Sequence, residues 1–150
     1  AQRELNTLSG GERARAHLAR ALAQIWDAPA DGGARWLLLD EPTAALDLRH
    51  QHEVLALARD WARQAGVGVV AVLHDTNLAL RYADVAVVLQ GGAVAAQGAV
   101  ADVIAPHTLD GVWQVGSATV CHPDGTPQLL VAGRPGGPPD STVFQGGSLS

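Results

Sequence analysis

The chain has 150 residues, with ten basic and fifteen acidic side chains and a formal net charge of −5; every basic residue is arginine. The lack of lysine excludes Schiff-base chemistry and any complete GxxxxGK[ST] phosphate loop, and the acidic balance argues against a broad nucleic-acid footprint. A single cysteine, Cys121, excludes a disulfide framework and a CxxC metal site, no apolar run is long enough to cross a bilayer, and no signal-peptide pattern opens the chain.

A hydrophobic content of 47% suits one domain with an aliphatic core, rich in its 27 alanines and poor in aromatics. The chain holds no methionine and starts at Ala1, so its natural beginning is expected upstream. The first predicted element is a helix from Thr7-Leu8-Ser9-Gly10-Gly11-Glu12 to Trp26. Ala14, Leu18, Ala21, Leu22 and Ile25 share one face, and Arg13, Arg20 and Gln24 face water. Ser9 and Glu12 have capping-box spacing. A loop rich in Pro and Gly follows over residues 27–34. Trp36-Leu37-Leu38-Leu39 then reads as a strand buried on both faces, with Asp40 and Glu41 at its carboxyl end and Pro42 next.

Asp47 is a good N-cap for a second helix with the stripe Val54, Leu57, Ala58, Trp61 and Ala65, ended by Gly66. Residues 67–73 repeat the buried-strand pattern, with His74-Asp75 at their carboxyl end, and 77–83 suit a short helix. Val85 to Leu89 is a third strand, turned by Gly91-Gly92 into 93–97. Alternation of strand and helix indicates an α/β fold with a mainly parallel sheet, whose ligands gather beyond the carboxyl ends of the strands. One or two short helices up to Trp113 precede a small terminal hairpin, 118–122 and 128–131, around Pro123-Asp124-Gly125-Thr126-Pro127. Residues 1–132 are expected to form the folded part and 133–150 a disordered tail.

A Gly-Gly pair opening a helix presents unpaired N–H groups and the positive end of the helix dipole, which suit a phosphate. A plain Ser N-cap is the alternative, but LSGGE arises by chance in a chain of this composition with a probability on the order of 10⁻⁴, so the pentapeptide calls for a functional explanation. LSGGE (Leu8 to Glu12) resembles the signature motif of ATP-binding cassette (ABC) ATPases, and RARAHLARALAQ after it resembles the helix that follows in that family. WLLLDEP resembles the Walker B strand, Ala45-Leu46-Asp47 the D-loop, and His74 the switch histidine; the four motifs stand in the family's order over about half the chain.

The resemblance implies a P-loop NTPase-like ABC core lacking its N-terminal Walker A portion. Asp40 would hold Mg²⁺, usually through water, and Glu41 would orient and deprotonate the attacking water. Strand alternation would turn the two acids apart. His74 would donate to a γ-phosphate oxygen. Ser9, Gly10 and Gly11 would contact phosphate, Glu12 suits either that neighbourhood or a capping box, and Asp47 can cap its helix and also face a partner subunit.

The family further implies ATP bound head to tail between two ATP-binding subunits, here a homodimer, and coupling to transmembrane permease subunits at the cytoplasmic face of the bacterial membrane. A periplasmic substrate-binding protein would take part indirectly, with no nucleic acid involved. Without Walker A the chain alone is expected not to hydrolyse ATP. LDLRHQH, LHDTNLALRYAD, the long 27–34 loop and HPDGTP are most similar to the haem (haemin) importer group, which shares much of its wording with iron-siderophore and vitamin B12 importers. Thr76 and Ala44 depart from the usual leucine and serine. A non-hydrolysing module that completes a partner's ATP site is the other alternative. His50 and His52, two apart on a helix, point to different faces and cannot chelate a metal together. Trp26, Trp36, Trp61 and Trp113 suit core or interface positions.

Overall fold

The computed structural model describes residues 10–27, 29, 30 and 32–133. Ser9 and residues 134–150 of the predicted tail lie outside the described residues. Two compact units divide the chain, Ala1–Asp84 and Val85–Ser150. The first contains α1 (Gly10–Gln24), β1 (Arg35–Leu39), α2 (Leu48–Ala65), β2 (Val67–Ala71) and α3 (Thr76–Tyr82). The second contains β3 (Val85–Gln90), β4 (Ala93–Ala99), α4 (Val100–Val103), α5 (Pro106–Trp113), β5 (Ser117–Cys121) and β6 (Pro127–Val131).

In the first unit β1 and β2 pair in parallel, Arg35 opposite Val67 and Leu39 opposite Ala71. Leu18 and Leu22, one helical turn apart on α1, meet Leu37, Val54 and Val67 in a buried cluster, with Ala21, Ile25, Leu39, Trp61 and Val69 packed around it. On α2 the buried residues are Val54, Leu55 and Ala58, so Leu55 takes the place expected of Leu57, which is exposed. Asp47 caps the start of α2, and Gly66 ends it in the left-handed conformation at φ 61°. Arg35 opens β1 and donates to the carbonyls of Ile25, Trp26 and Ala65. Its guanidinium thereby ties the carboxyl ends of α1 and α2 to the sheet, where a cation is favoured by the helix dipoles.

Among the described residues, the strand expected to be buried on both faces is covered on one. Leu37 is 4% exposed, whereas Trp36 and Leu38 are 57% and 74% exposed. Both helices contribute their apolar stripes to the Leu37 side, and period-two alternation sends the neighbouring residues to the other face. Of the tryptophans, Trp61 packs against the core cluster, as expected of a core position. Trp26 is largely exposed and tilts against Trp61 at 5.3 Å between ring centroids. Trp36 lies over its cross-strand partner Gly68, where a Cβ would come within 2.5 Å of the indole Cζ3.

Among the described residues the strands form three two-stranded sheets: β1–β2 is parallel, as the strand–helix–strand segment predicts, and β3–β4 and β5–β6 are the antiparallel hairpins expected around Gly91-Gly92 and Pro123–Pro127. Short connections explain this, because parallel strands need a long crossover such as α2. Gly91 and Gly92, both at positive φ, make the β3–β4 turn, and the β5–β6 hairpin closes over Pro123-Asp124-Gly125. Val88, Val103, Ile104, Leu109 and Leu129 are the buried apolar residues of this unit.

Leu37→Ala should lower unfolding stability by about 2–5 kcal/mol through the cavity it leaves. Gly66→Ala should lower it by about 1 kcal/mol through the left-handed backbone. Urea unfolding measures both, and a Leu37→Ala change below about 0.5 kcal/mol would contradict the placement of the core.

Candidate functional site

Parallel strands in register end level with one another. Val72 N donates to Leu39 O at 2.9 Å, so the chain leaves β1 and β2 on the same side of the pair. Asp40 and Glu41 follow β1 directly, and His74 lies just beyond β2. Their loops converge: His74 Nε2 is 2.8 Å from Glu41 Oε1, across 33 residues of sequence. The two side chains are 75% and 48% exposed, so their hydrogen bond contributes little stability and leaves both groups open to a ligand.

Glu41 adopts φ 45°, a left-handed conformation that a non-glycine residue takes only where surrounding structure imposes it. Two turns follow at once, with Ala44 N donating to Glu41 O and Leu46 N to Thr43 O, each at 3.2 Å. Strand alternation therefore does not separate the two acids, because both lie past Leu39, the last paired residue of β1. The backbone reversal at Glu41 accompanies their separation instead. Asp40 lines a depression with His17, Leu18 and Pro42; Glu41 lines a neighbouring one with Arg13, His17 and Leu46.

The turn is fastened to α2 from behind. Gln51 Nε2 donates to Leu46 O at 3.0 Å and to Thr43 O at 3.3 Å, and Thr43 is buried. Asp47 Oδ1 accepts from His50 N at 2.9 Å, and the His50 ring Nδ1 lies 2.7 and 2.8 Å from the two Asp47 oxygens. These bonds, the backbone one first, hold the Asp47 carboxyl below its ordinary 3.8. One turn further, Glu53 accepts from Arg49 Nε at 2.8 Å and from Arg15 of α1 at 2.6 Å, which also lowers its carboxyl pKa, the Arg49 bond first.

Gly10 and Gly11 are the first two residues of α1, and Glu12 lies in its first turn. The structure brings Glu41 to His74, and Gly11 to Asp47 by way of His50. The phosphate contact expected of Ser9 lies outside the described residues. Asp75 caps α3, accepting from Asn77 N and Leu78 N at 2.7 and 3.1 Å. His52 faces away from His50 and bonds Tyr82 Oη at 2.7 Å, consistent with the different-face expectation. Among the described residues no group of three or more His, Cys, Asp or Glu could hold a metal. Sequence reasoning missed Gln51 and His50. Their positions four and three residues after Asp47 were the available signal, meaningful only once the turn over residues 43–46 is known to fold back over the helix.

No protein-family model matches the chain. A hemin import ATP-binding protein of Methylobacillus flagellatus is 45% identical over 134 residues, covering 89% of this chain and 49% of that protein. The proteins of the same name from Rhodopseudomonas palustris and Burkholderia pseudomallei are 48% and 53% identical, over 85% and 71% of this chain and 47% and 40% of theirs. The chain spans about half the length of the curated relatives it matches. Among solved structures, an inward-facing metal-chelate type ABC transporter superposes with a TM-score of 0.74 at 27% identity, covering 88% of this chain and 50% of that one. A dimeric bacterial ABC transporter cassette matches with a TM-score of 0.54 at 32% identity, covering 67% of this chain and 40% of that one.

A lowered Asp47 pKa means that its cap contributes fully above 3.8 and is lost as pH falls through the lower folded-state value. An NMR titration of the side-chain carboxyl should give a midpoint below 3.8, accompanied by a shift of the His50 amide. A midpoint at or above that value would contradict the cap.

Proposed function

We propose that this chain, which belongs to the ATP-binding cassette ATPases, supplies the signature helix, Walker B acids, D-loop and switch histidine of an importer ATPase whose transported substrate is haem. The observation that carries the hydrolytic assignment is the 2.8 Å approach of His74 Nε2 to Glu41 Oε1 at two level strand ends. Glu41 accepts the proton of the attacking water, through a carboxylate that is half exposed and within hydrogen-bond reach of His74. His74 Nε2–H holds that carboxylate before phosphate arrives and turns from it to donate to the phosphate oxygen as charge develops. The start of α1 turns the first N–H groups of a helix, those of Gly10 and Gly11, to phosphate, with the neighbouring Ser9 and Glu12 of the sequence as further contacts.

Asp40 suits Mg²⁺ as a single exposed carboxylate, since Mg²⁺ on nucleotide phosphates keeps several waters and needs no all-protein cage. Bound there it would neutralise phosphate charge. The chain has no lysine and therefore no GxxxxGK[ST] loop of its own, so ATP would be completed by a Walker A element outside these 150 residues. In this reading two ATP-binding subunits meet head to tail, with Asp47 facing the partner, and the dimer drives transmembrane permease subunits that receive haem from a periplasmic substrate-binding protein. This reading places the chain peripherally on the cytoplasmic face of the membrane; no helix of the described residues is long and apolar enough to cross one. The similarity to hemin import ATP-binding proteins supports haem as the substrate.

In the full-length protein Glu41→Gln should leave ATP affinity unchanged and slow hydrolysis by about 10²–10⁴-fold. Near-normal turnover would remove Glu41 as the base. Proteoliposomes carrying the neighbouring permease should take up haemin, and not a ferric siderophore or vitamin B12, when ATP is supplied; uptake of either of the others in its place would overturn the substrate.

A further inference from the structure

We propose that His50 is a positioning residue, holding the Gly10–Gly11 start of α1 in register with Asp47 so that signature motif and D-loop meet nucleotide as one unit. This rests on the ATPase reading above. The first observation is the anchorage of the ring: its Nδ1 spans both Asp47 carboxylate oxygens at 2.7 and 2.8 Å, while the His50 backbone N–H bonds Oδ1 as well. An imidazole held through both its ring and its own amide has little freedom to turn.

The second is what the ring rests against. Gly11 is buried, and a Cβ built on it would sit 2.5 Å from His50 Cγ and Nε2 and closer still to Cδ2. Gly11 is not among the residues at positive φ. A glycine is therefore needed here for space and not for backbone freedom: α1 approaches α2 so closely that the imidazole occupies the volume of a side chain. A third observation fixes the direction of the contact. Arg15 of α1, one turn after Gly11, reaches Glu53 of α2, one turn after His50. The two ties lie along a single seam, and together they resist rotation of α1 about its axis. The Arg15–Glu53 tie is partly exposed and contributes weakly, which leaves the His50 contact to set the register.

Steady-state ATPase measurements on the full-length protein test this through the split between KM and kcat. His50→Ala should raise KM for ATP about tenfold and leave kcat within about threefold, because Glu41 and His74 are untouched. His50→Asn, whose amide can still donate to Asp47, should recover most of the loss, and His50→Leu, similar in bulk without a donor, should not. Gly11→Ala should be strongly deleterious beside His50 and at least about tenfold less so in the His50→Ala background, where the added methyl has room. An unchanged KM in His50→Ala, or an equal Gly11→Ala penalty in both backgrounds, would overturn the proposal. This second comparison holds even if His50→Leu fails to fold. A Glu41→Gln control separates the two levels: normal turnover there would sink the ATPase reading itself, whereas lost turnover with unaltered His50 variants would sink only the positioning role.

Discussion

Parallel strands paired in register finish at the same height, and the candidate site depends on that constraint. Leu39 and Ala71 are opposite one another, so the segments that follow emerge side by side and Glu41 meets His74 although 33 residues separate them. A one-residue slip would carry His74 about 3.3 Å along the strand and turn every side chain of β2 to the other face. The core prevents this. Leu37, Val67 and Val69 point toward the apolar stripes of α1 and α2, and a slipped strand would withdraw Val67 and Val69 from them. Packing on one face of a two-stranded sheet therefore fixes the geometry of two polar groups at its end.

A second layer of control comes from the amino end of α2. Asp47, His50 and Gln51 lie within its cap and first turn; Asp47 caps α2 itself, while the side chains of His50 and Gln51 also reach groups outside the helix. Gln51 takes the carbonyls of Thr43 and Leu46, His50 bridges Asp47 to the start of α1, and Arg35 at the opposite end gathers the carbonyl that ends α2 and the two just past α1. The helix pair is thus fastened at both ends by hydrogen bonds and in the middle by aliphatic contact. The strained backbone of Glu41 sits where the turn, the strand end and the Gln51 tether meet, which is where surrounding structure can sustain it.

Much of this was legible in sequence because it is local. The N-cap at Asp47, the stop at Gly66, the hairpin glycines at 91 and 92 and the acids at a strand end each follow from a few adjacent residues. What escaped depends on which surfaces meet. An unbroken apolar run such as WLLL does not say which element covers which face, and among the described residues only the Leu37 face is covered. The closeness of Gly11 to His50 is invisible without knowing the separation of two helices, and the left-handed backbone of Glu41 is imposed by a turn that neither Glu41 nor Asp40 announces.

In the proposed ATPase, Glu41 and His74 act as one unit because the strands deliver them to the same place. A double-mutant cycle on ATP turnover in the full-length protein addresses it most directly, comparing Glu41→Gln, His74→Ala and both together. The account predicts strong non-additivity, with His74→Ala costing at least about tenfold less once Glu41 is already glutamine. Losses that simply multiply would mean that the two residues work independently and that their 2.8 Å contact has no part in hydrolysis.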